Sequence, residues 1–217
     1  MTLLLVGAGG LAREVLAAIR AAGRPDPIGL LDDRPALAGS EVDGVPVLGG
    51  SDLVHEHTGA QVVVCVANAR RPAGRRDVVR RLGLPPERYA AVVHPNASIA
   101  PGVEIGEGTV LLAGVVITAP QRVGAHVVAM PHVLLTHDDV VGDFVTMAGR
   151  ATLAGAVEVG ESAYLGSGCL VREGVRIGAE AVIGMGATVL DDVPAGETWV
   201  GLPARKLTSP AVRLEAL

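Results

Sequence analysis

Val140-Val141-Gly142-Asp143-Phe144-Val145-Thr146-Met147-Ala148-Gly149-Arg150-Ala151-Thr152-Leu153-Ala154-Gly155-Ala156-Val157 decides the fold of this chain. Val141, Met147 and Leu153 stand six residues apart. Followed backward, the same beat passes through Leu135, Ala129, Val123, Ile117, Leu111, Ile105 and Ile99. Followed forward, it passes through Val159, Leu165, Val171, Ile177, Ile183 and Val189. No insertion interrupts it, and only Ala129 is small. Gly follows the apolar residue at Gly106, Gly124, Gly142, Gly160 and Gly178, a spacing of eighteen. The position two before each apolar residue is small or β-branched in most registers, as at Thr109, Val115, Val127, Ala151 and Ala163.

A period of six inside a superperiod of eighteen describes three short strands per coil. One side chain per strand points inward and stacks on its copy a coil away, and Gly or another small residue is expected where a corner demands an unusual backbone. About five coils fit between Ser98 and Val193. Known hexapeptide helices of this kind coil left-handedly, against the usual right-handed crossover.

The first ninety or so residues follow another pattern, with strands alternating with helices. Thr2 to Val6 reads as a buried strand, and Leu11 to Ala22 as a helix with Leu11, Val15, Ala18, Ile19 and Ala22 on one face. Pro27 to Leu31 and Gln61 to Ala67 read as strands, Arg75 to Leu82 as a second helix, and Tyr89 to Val93 as a short strand. The expected architecture is a small Rossmann-like parallel α/β sheet over residues 1–94, a left-handed parallel β-helix over 95–194, and a C-terminal tail or cap over 195–217.

Bulk properties agree. Aromatic residues are 2 % of the 217, which suits a core of stacked aliphatic side chains. Net charge is −5 with no long basic run, so a nucleic-acid partner has no electrostatic footprint. No stretch reaches the length and apolarity of a membrane span, and a cytoplasmic protein is expected. Cys65 and Cys169 each sit in an apolar run and read as buried, reduced thiols. His126 and His132 read as surface residues.

Four landmarks in order resemble one group of β-helix acyltransferases: Gly7-Ala8-Gly9-Gly10-Leu11-Ala12-Arg13-Glu14-Val15, Leu30-Leu31-Asp32-Asp33, His94-Pro95-Asn96-Ala97, and Gly201-Leu202-Pro203-Ala204-Arg205. The group is that of the sialic acid O-acetyltransferases and nucleotide-amino-sugar N-acetyltransferases, and the resemblance covers nearly the whole chain. It implies an acetyl-CoA-dependent transfer to a nucleotide-linked amino sugar, a 4-amino-4,6-dideoxy hexose, in a homotrimer. O-acetylation of a sialic acid-type sugar is the near alternative.

Read alone, His137 is one more polar side chain on a corner. The resemblance makes it the general base, with Asp138 orienting its ring and the Gly155 N–H, one coil above, stabilising the oxyanion. It also implies coenzyme contacts at Ser167 and Met185 and at the closing Gly201, Ala204, Arg205 and Lys206. Thr146 stands where the group often has a second His that meets acetyl-CoA. Asp139 and Gln121 occupy inward positions where uncharged, apolar residues are expected. A carboxylate there costs several kcal/mol unless it is hydrogen-bonded or protonated, so either the strand distorts or Asp139 turns toward His137.

Gly7-x-Gly9-x-x-Ala12, with Asp32 about twenty residues on, also satisfies the dinucleotide fingerprint. The half is too short for a full dinucleotide fold. By resemblance the turn holds the nucleotide sugar instead, with Gly9, Gly10 and Leu11 near the diphosphate or sugar. Asp32 and Asp33 would read the nucleoside, with Ala67 and Asn68 across the crevice. Two further readings use the same prism. A zinc carbonic anhydrase would need His132, His137 and a third ligand at position 96, where the chain has Asn96; no metal is expected. A trimeric scaffold that has lost activity would account for Thr146 and for Leu11 in place of the group's His.

Overall fold

The computed structural model describes residues 2–208. Strand β1 (Leu3–Val6) is buried along its length and ends at Gly7. There φ is +102° and a Cβ would lie 2.8 Å from the Cys65 carbonyl oxygen, so no side chain fits. Helix α1 (Gly10–Ala21) buries Leu11, Ala12, Val15, Leu16, Ala18 and Ile19. β2 (Gly29–Leu31), β3 (Glu41–Val42), β4 (Val45–Gly49) and β5 (Gln61–Val64) complete a sheet of order β3-β4-β2-β1-β5, parallel except for the β3–β4 hairpin. That hairpin was not expected. Asp43 and Gly44, at φ 48° and 84°, make its two-residue turn, and an Asp-Gly pair between Val42 and Val45 is its sequence signal. Helix α2 (Gly74–Leu82) follows, and then β6 (Val92–Val93).

β6 pairs with Val110–Leu111 rather than with the first sheet. From Ser98–Ile99 to Thr188–Val189, two-residue strands follow one another, each ending on a member of the six-residue series. They stack into three parallel sheets with a register of eighteen, as in Ile117↔Leu135, Val123↔Val141 and Ala129↔Met147. The expected left-handed β-helix is present. Its interior, from Leu111 to Val193, is almost wholly buried Val, Ile, Leu and Ala with Met147 and Cys169.

The corners explain the remaining residues. Three residues after the inward side chain, φ is positive at Gly102, Gly108 and Gly114, and likewise at His126, His132, Asp138, Phe144, Arg150, Ala156, Ser162 and Glu180. Each non-Gly corner costs about 1 kcal/mol, offset by the stacking it permits. Pro120, whose ring keeps φ negative, stands at one exception. The glycines spaced by eighteen have a different role from the one expected. Their φ is ordinary, but a Cβ on Gly106 would lie 2.5 Å from Ala125 N and one on Gly178 2.3 Å from Ala195 N. They are glycines because successive coils touch there.

The prism therefore has three faces and three edges. The face of β6, Val110–Leu111 and Val128–Ala129 is covered by the first domain, with Val110, Leu112 and Val128 packed among Leu11, Val15 and Ile19. We call it the docked face. The second face (Leu134–Leu135, Thr152–Leu153, Leu170–Val171) and the third (Val140–Val141, Glu158–Val159, Arg176–Ile177) carry exposed side chains such as Leu170 and Val140.

Arg75 of α2 fastens the two domains. It is 2 % exposed, and its guanidinium donates to the carbonyls of Val66 (2.6 Å), His126 (2.7 Å), Phe144 (2.8 Å) and Val145 (3.1 Å) and to Thr146 Oγ1 (2.9 Å). Burial pulls its pKa down to about 10, which leaves it charged at neutral pH. Arg76 beside it pairs with Glu180 at 2.8 Å and Glu161 at 3.2 Å. This docking corrects the expectation for His126. It is 4 % exposed, lies edge-on to Tyr89 and stacked on Phe144, and burial, with Arg75 nearby, pulls its pKa down to about 4. Arg75→Met should lower unfolding free energy by about 2–4 kcal/mol, because several buried acceptors lose their donor; urea denaturation measures it.

Candidate active site

His137 lies on the edge between the second and third faces, the edge opposite the docked face. Its position follows from the six-residue beat. Leu135 points inward, so two residues on the chain is turning and the side chain points out. His137 is 69 % exposed, and its Nδ1 lies 2.8 Å from Asp138 Oδ2. With Nδ1 donating to the carboxylate, Nε2 keeps its lone pair.

The ring lies against Gly155 in the next coil. A Cβ on Gly155 would fall 2.5 Å from His137 Cε1 and 2.7 Å from Nε2, so the imidazole occupies the space that any other residue would fill. The Gly155 carbonyl accepts from Gly174, and the neighbouring Ala156 N–H donates to the His137 carbonyl. The three catalytic candidates are together at one exposed place.

Beneath them, Asp139 is 2 % exposed and remains inward. Its carboxylate accepts from the N–H of Thr136 (2.9 Å) and of Val157 (3.0 Å), and its own N–H donates to Gln121 Oε1 (2.9 Å). Burial pushes the Asp139 carboxyl above the usual range, opposed by those two N–H groups and by His137. Neither sequence-based alternative describes it: the side chain is satisfied by backbone, inside the prism.

The coenzyme candidates lie elsewhere. Ser167 and Met185 stack on the edge between the docked and second faces, Met185 81 % exposed. Arg205 and Lys206 form a strand antiparallel to Thr198–Val200. Arg205 lies 3.7 Å from Asp191, and Lys206 is paired with Glu197. Gly201, at φ 94°, turns the chain into that strand. Two placements differ from expectation. Ala204 is 1 % exposed and packs in the prism core, sealing its end. Thr146 is 3 % exposed and its hydroxyl oxygen accepts from Arg75, so it serves the domain seam.

The nucleotide candidates gather at the carboxyl ends of β1, β2 and β5, where an open parallel sheet binds ligands. A cleft of about 250 Å³ there is lined by Gly7, Asp32, Asp33, Arg34, Ser51 and Arg81, among others. Gly9 caps α1 with no side-chain hydrogen bond and no acid in the first turn, and Gly9 and Gly10 have open space where a Cβ would be. No side chain caps the first N–H groups of α1, the condition an anion site needs. Asp32 accepts from Ala8 N (2.8 Å) and three times from Arg34, through its backbone N–H, Nε and Nη2, and chiefly through Arg34 its pKa falls to about 2. Asp33 is held by the N–H and hydroxyl of Ser51 and by Arg81. Ala67 is half-buried and Asn68 exposed, past the end of β5. Leu11 differs from expectation: its side chain is in the core, leaving only its N–H for a ligand. Arg34, Ser51 and Arg81 were not anticipated, and only the adjacency of Arg34 to the acid pair hinted at them.

Both cysteines are free and buried, and burial pushes each thiol up to about 12. Among the described residues no group of His, Cys, Asp and Glu is placed to hold a metal ion, and no helix is long and apolar enough to cross a membrane.

A prism of hexapeptide coils, an exposed histidine stacked on a glycine, and an uncapped helix terminus on a separate domain define a hexapeptide-repeat transferase. Comparison with known proteins agrees. Residues 2–82 match the PglD N-terminal domain, 90–119 the bacterial transferase hexapeptide, and 156–191 the hexapeptide repeat of succinyl-transferase. A mutant of perosamine N-acetyltransferase from Caulobacter crescentus, in complex with CoA and GDP-perosamine, is 29 % identical with a TM-score of 0.86, covering 96 % of this chain and 98 % of that one. The acetyltransferase domain of PglB from Neisseria gonorrhoeae is 30 % identical with a TM-score of 0.85, covering 95 % and 99 %. No curated protein matches by sequence. The chain belongs to the hexapeptide-repeat sugar acyltransferase group.

Gly155→Ala should leave the melting temperature within a few degrees, since the backbone there is ordinary and only an exposed ring must move. The His137 ring signals in the NMR spectrum should shift, while those of buried His126 stay in place.

Proposed function

We propose that the protein transfers an acetyl group from acetyl-CoA to the amine of a nucleotide-linked amino sugar. The observation that carries this reading is His137, paired with Asp138 at 2.8 Å and stacked on Gly155, at a corner open to solvent. The similarity to perosamine N-acetyltransferase and to the PglB domain, both over at least 95 % of this chain, supports it. The PglB domain has also been solved with acetyl coenzyme A.

In the proposed reaction the sugar amine attacks the thioester carbonyl while His137 Nε2 takes its proton. The new imidazolium is stabilised by Asp138. The Gly155 N–H donates to the oxyanion. Collapse of the tetrahedral intermediate expels the CoA thiolate, which takes the proton from His137. Each proton and electron pair is accounted for without a covalent enzyme intermediate.

The topology favours a site shared between copies. The diphosphate site belongs to the domain on the docked face, and His137 stands on the opposite edge of the same prism. A sugar held at the α1 N-terminus is then brought to the His137 of another copy. Ser167 and Met185, along a different edge from His137, and Arg205 and Lys206, on the last strand of the docked-face sheet, supply the coenzyme contacts across that junction. A homotrimer that covers the second and third faces satisfies both requirements. Gly9, Gly10 and the Leu11 N–H hold the diphosphate, while Asp32, Asp33, Ala67 and Asn68 surround the nucleoside. Two buried, reduced thiols suit the cytoplasm.

Thiol release from acetyl-CoA, followed over a panel of UDP-, GDP- and dTDP-linked 4-amino sugars, tests the reading. One acceptor sugar should turn over, and His137→Ala should lower kcat by about two to four orders of magnitude. Turnover that survives the substitution removes His137 from the chemistry.

A further inference from the structure

We infer that Asp139, buried inside the prism, and the half-buried Gln121 one coil below it are positioning residues that fix His137 relative to Gly155. The inference rests on the reading of His137 as the base. It begins with a column of inward positions spaced by eighteen: Val103, Gln121, Asp139, Val157, Val175 and Val193. Four are valines, as a dry core requires. The two polar exceptions are adjacent, and they fall at and immediately below the His137 corner.

At other corners of this edge the backbone satisfies itself. Thr118 N–H donates to Leu135 O and Ala154 N–H to Val171 O, while Val103 and Val175 close their turns on Ala100 O and Arg172 O. At the His137 corner these bonds are rerouted. Thr136 N–H goes to Asp139 Oδ2, Asp139 N–H to Gln121 Oε1, and Val157 N–H to Asp139 Oδ1. One carboxylate therefore holds the residue before His137 and the residue two past Gly155. It spans the two coils whose spacing decides where the imidazole sits against the Gly155 N–H.

The arrangement is costly, which argues against a purely structural purpose. Gln121 Nε2 and Thr136 Oγ1 are buried without a partner among the described residues, and burial pushes the Asp139 carboxyl up. Valine at both positions would restore the column and the ordinary turns. Buried polar groups are often less stable than well-packed apolar residues of similar size, and functional sites are where such a cost is retained.

The test is the double variant Gln121→Val/Asp139→Val, with Asp139→Asn and His137→Ala measured beside it. The double variant should melt at or above the wild-type temperature and keep KM for both substrates. Its kcat should fall about 10- to 100-fold, the effect of a misplaced catalytic group. Asp139→Asn, which keeps one acceptor, should stay folded and lose about tenfold in kcat, so the inference stands or falls even where the double variant does not fold. Full kcat in the valine pair, or a loss of kcat that only tracks a loss of melting temperature, would overturn it. If His137→Ala remains active, the base reading fails first. If His137→Ala is inactive while the valine pair works normally, the positioning inference alone fails.

Discussion

The eighteen-residue register is the constraint on which the rest depends. Each inward side chain must land on its copy one coil away, as Leu135 lands on Ile117 and Leu153, so every outward position is also fixed to one face or one edge. The prism thereby sorts functions by residue number. One face receives the first domain, one edge carries the carbonyl acceptors of Arg75, the edge opposite the docked face carries His137, and the remaining edge carries Ser167 and Met185. A shift of one residue would move every inward side chain outward, and sixteen registers of aliphatic residues hold against that.

That rigidity suits acyl transfer between two bound substrates. Nothing in the proposed reaction needs a mobile group; the base and the oxyanion donor have to stand at a fixed separation while a nucleotide sugar and a coenzyme are brought to them. The β-helix supplies the separation as a coil-to-coil distance. The first domain supplies an uncapped helix terminus, and the buried guanidinium of Arg75 ties that domain to the carbonyls of three residues of the prism. Arg75 makes these bonds without a carboxylate partner, so the seam adds no net acid to the protein interior.

Much of this was legible in the sequence. The beat of six gave the prism, and the placement of His137 two residues past an inward Leu gave its exposure and its stacking on Gly155. What escaped depended on contacts that no local pattern encodes. Arg75 and Arg76 are neighbours of the same type, yet one is buried and the other pairs with surface carboxylates. His126 reads like His132 until α2 and Tyr89 cover it. Thr146 and Leu11, which the resemblance marked for ligand contact, face the domain seam and the core instead. Asp139 and Gln121 were visible as violations of the core pattern, but only the side-chain hydrogen bonds show that they answer each other.

The central claim is that the sugar held by the first domain of one copy meets the His137 of another. Co-expression of two inactive variants tests it most directly: His137→Ala, which keeps the nucleotide site, and Gly10→Asp, which sets a carboxylate against the diphosphate at the α1 N-terminus. If the site is shared, random trimers regain about a quarter of wild-type turnover, because one junction in four pairs two intact halves. If each chain completes its own site, every chain in the mixture carries one broken half and turnover stays at the level of the separate variants, which would contradict the account.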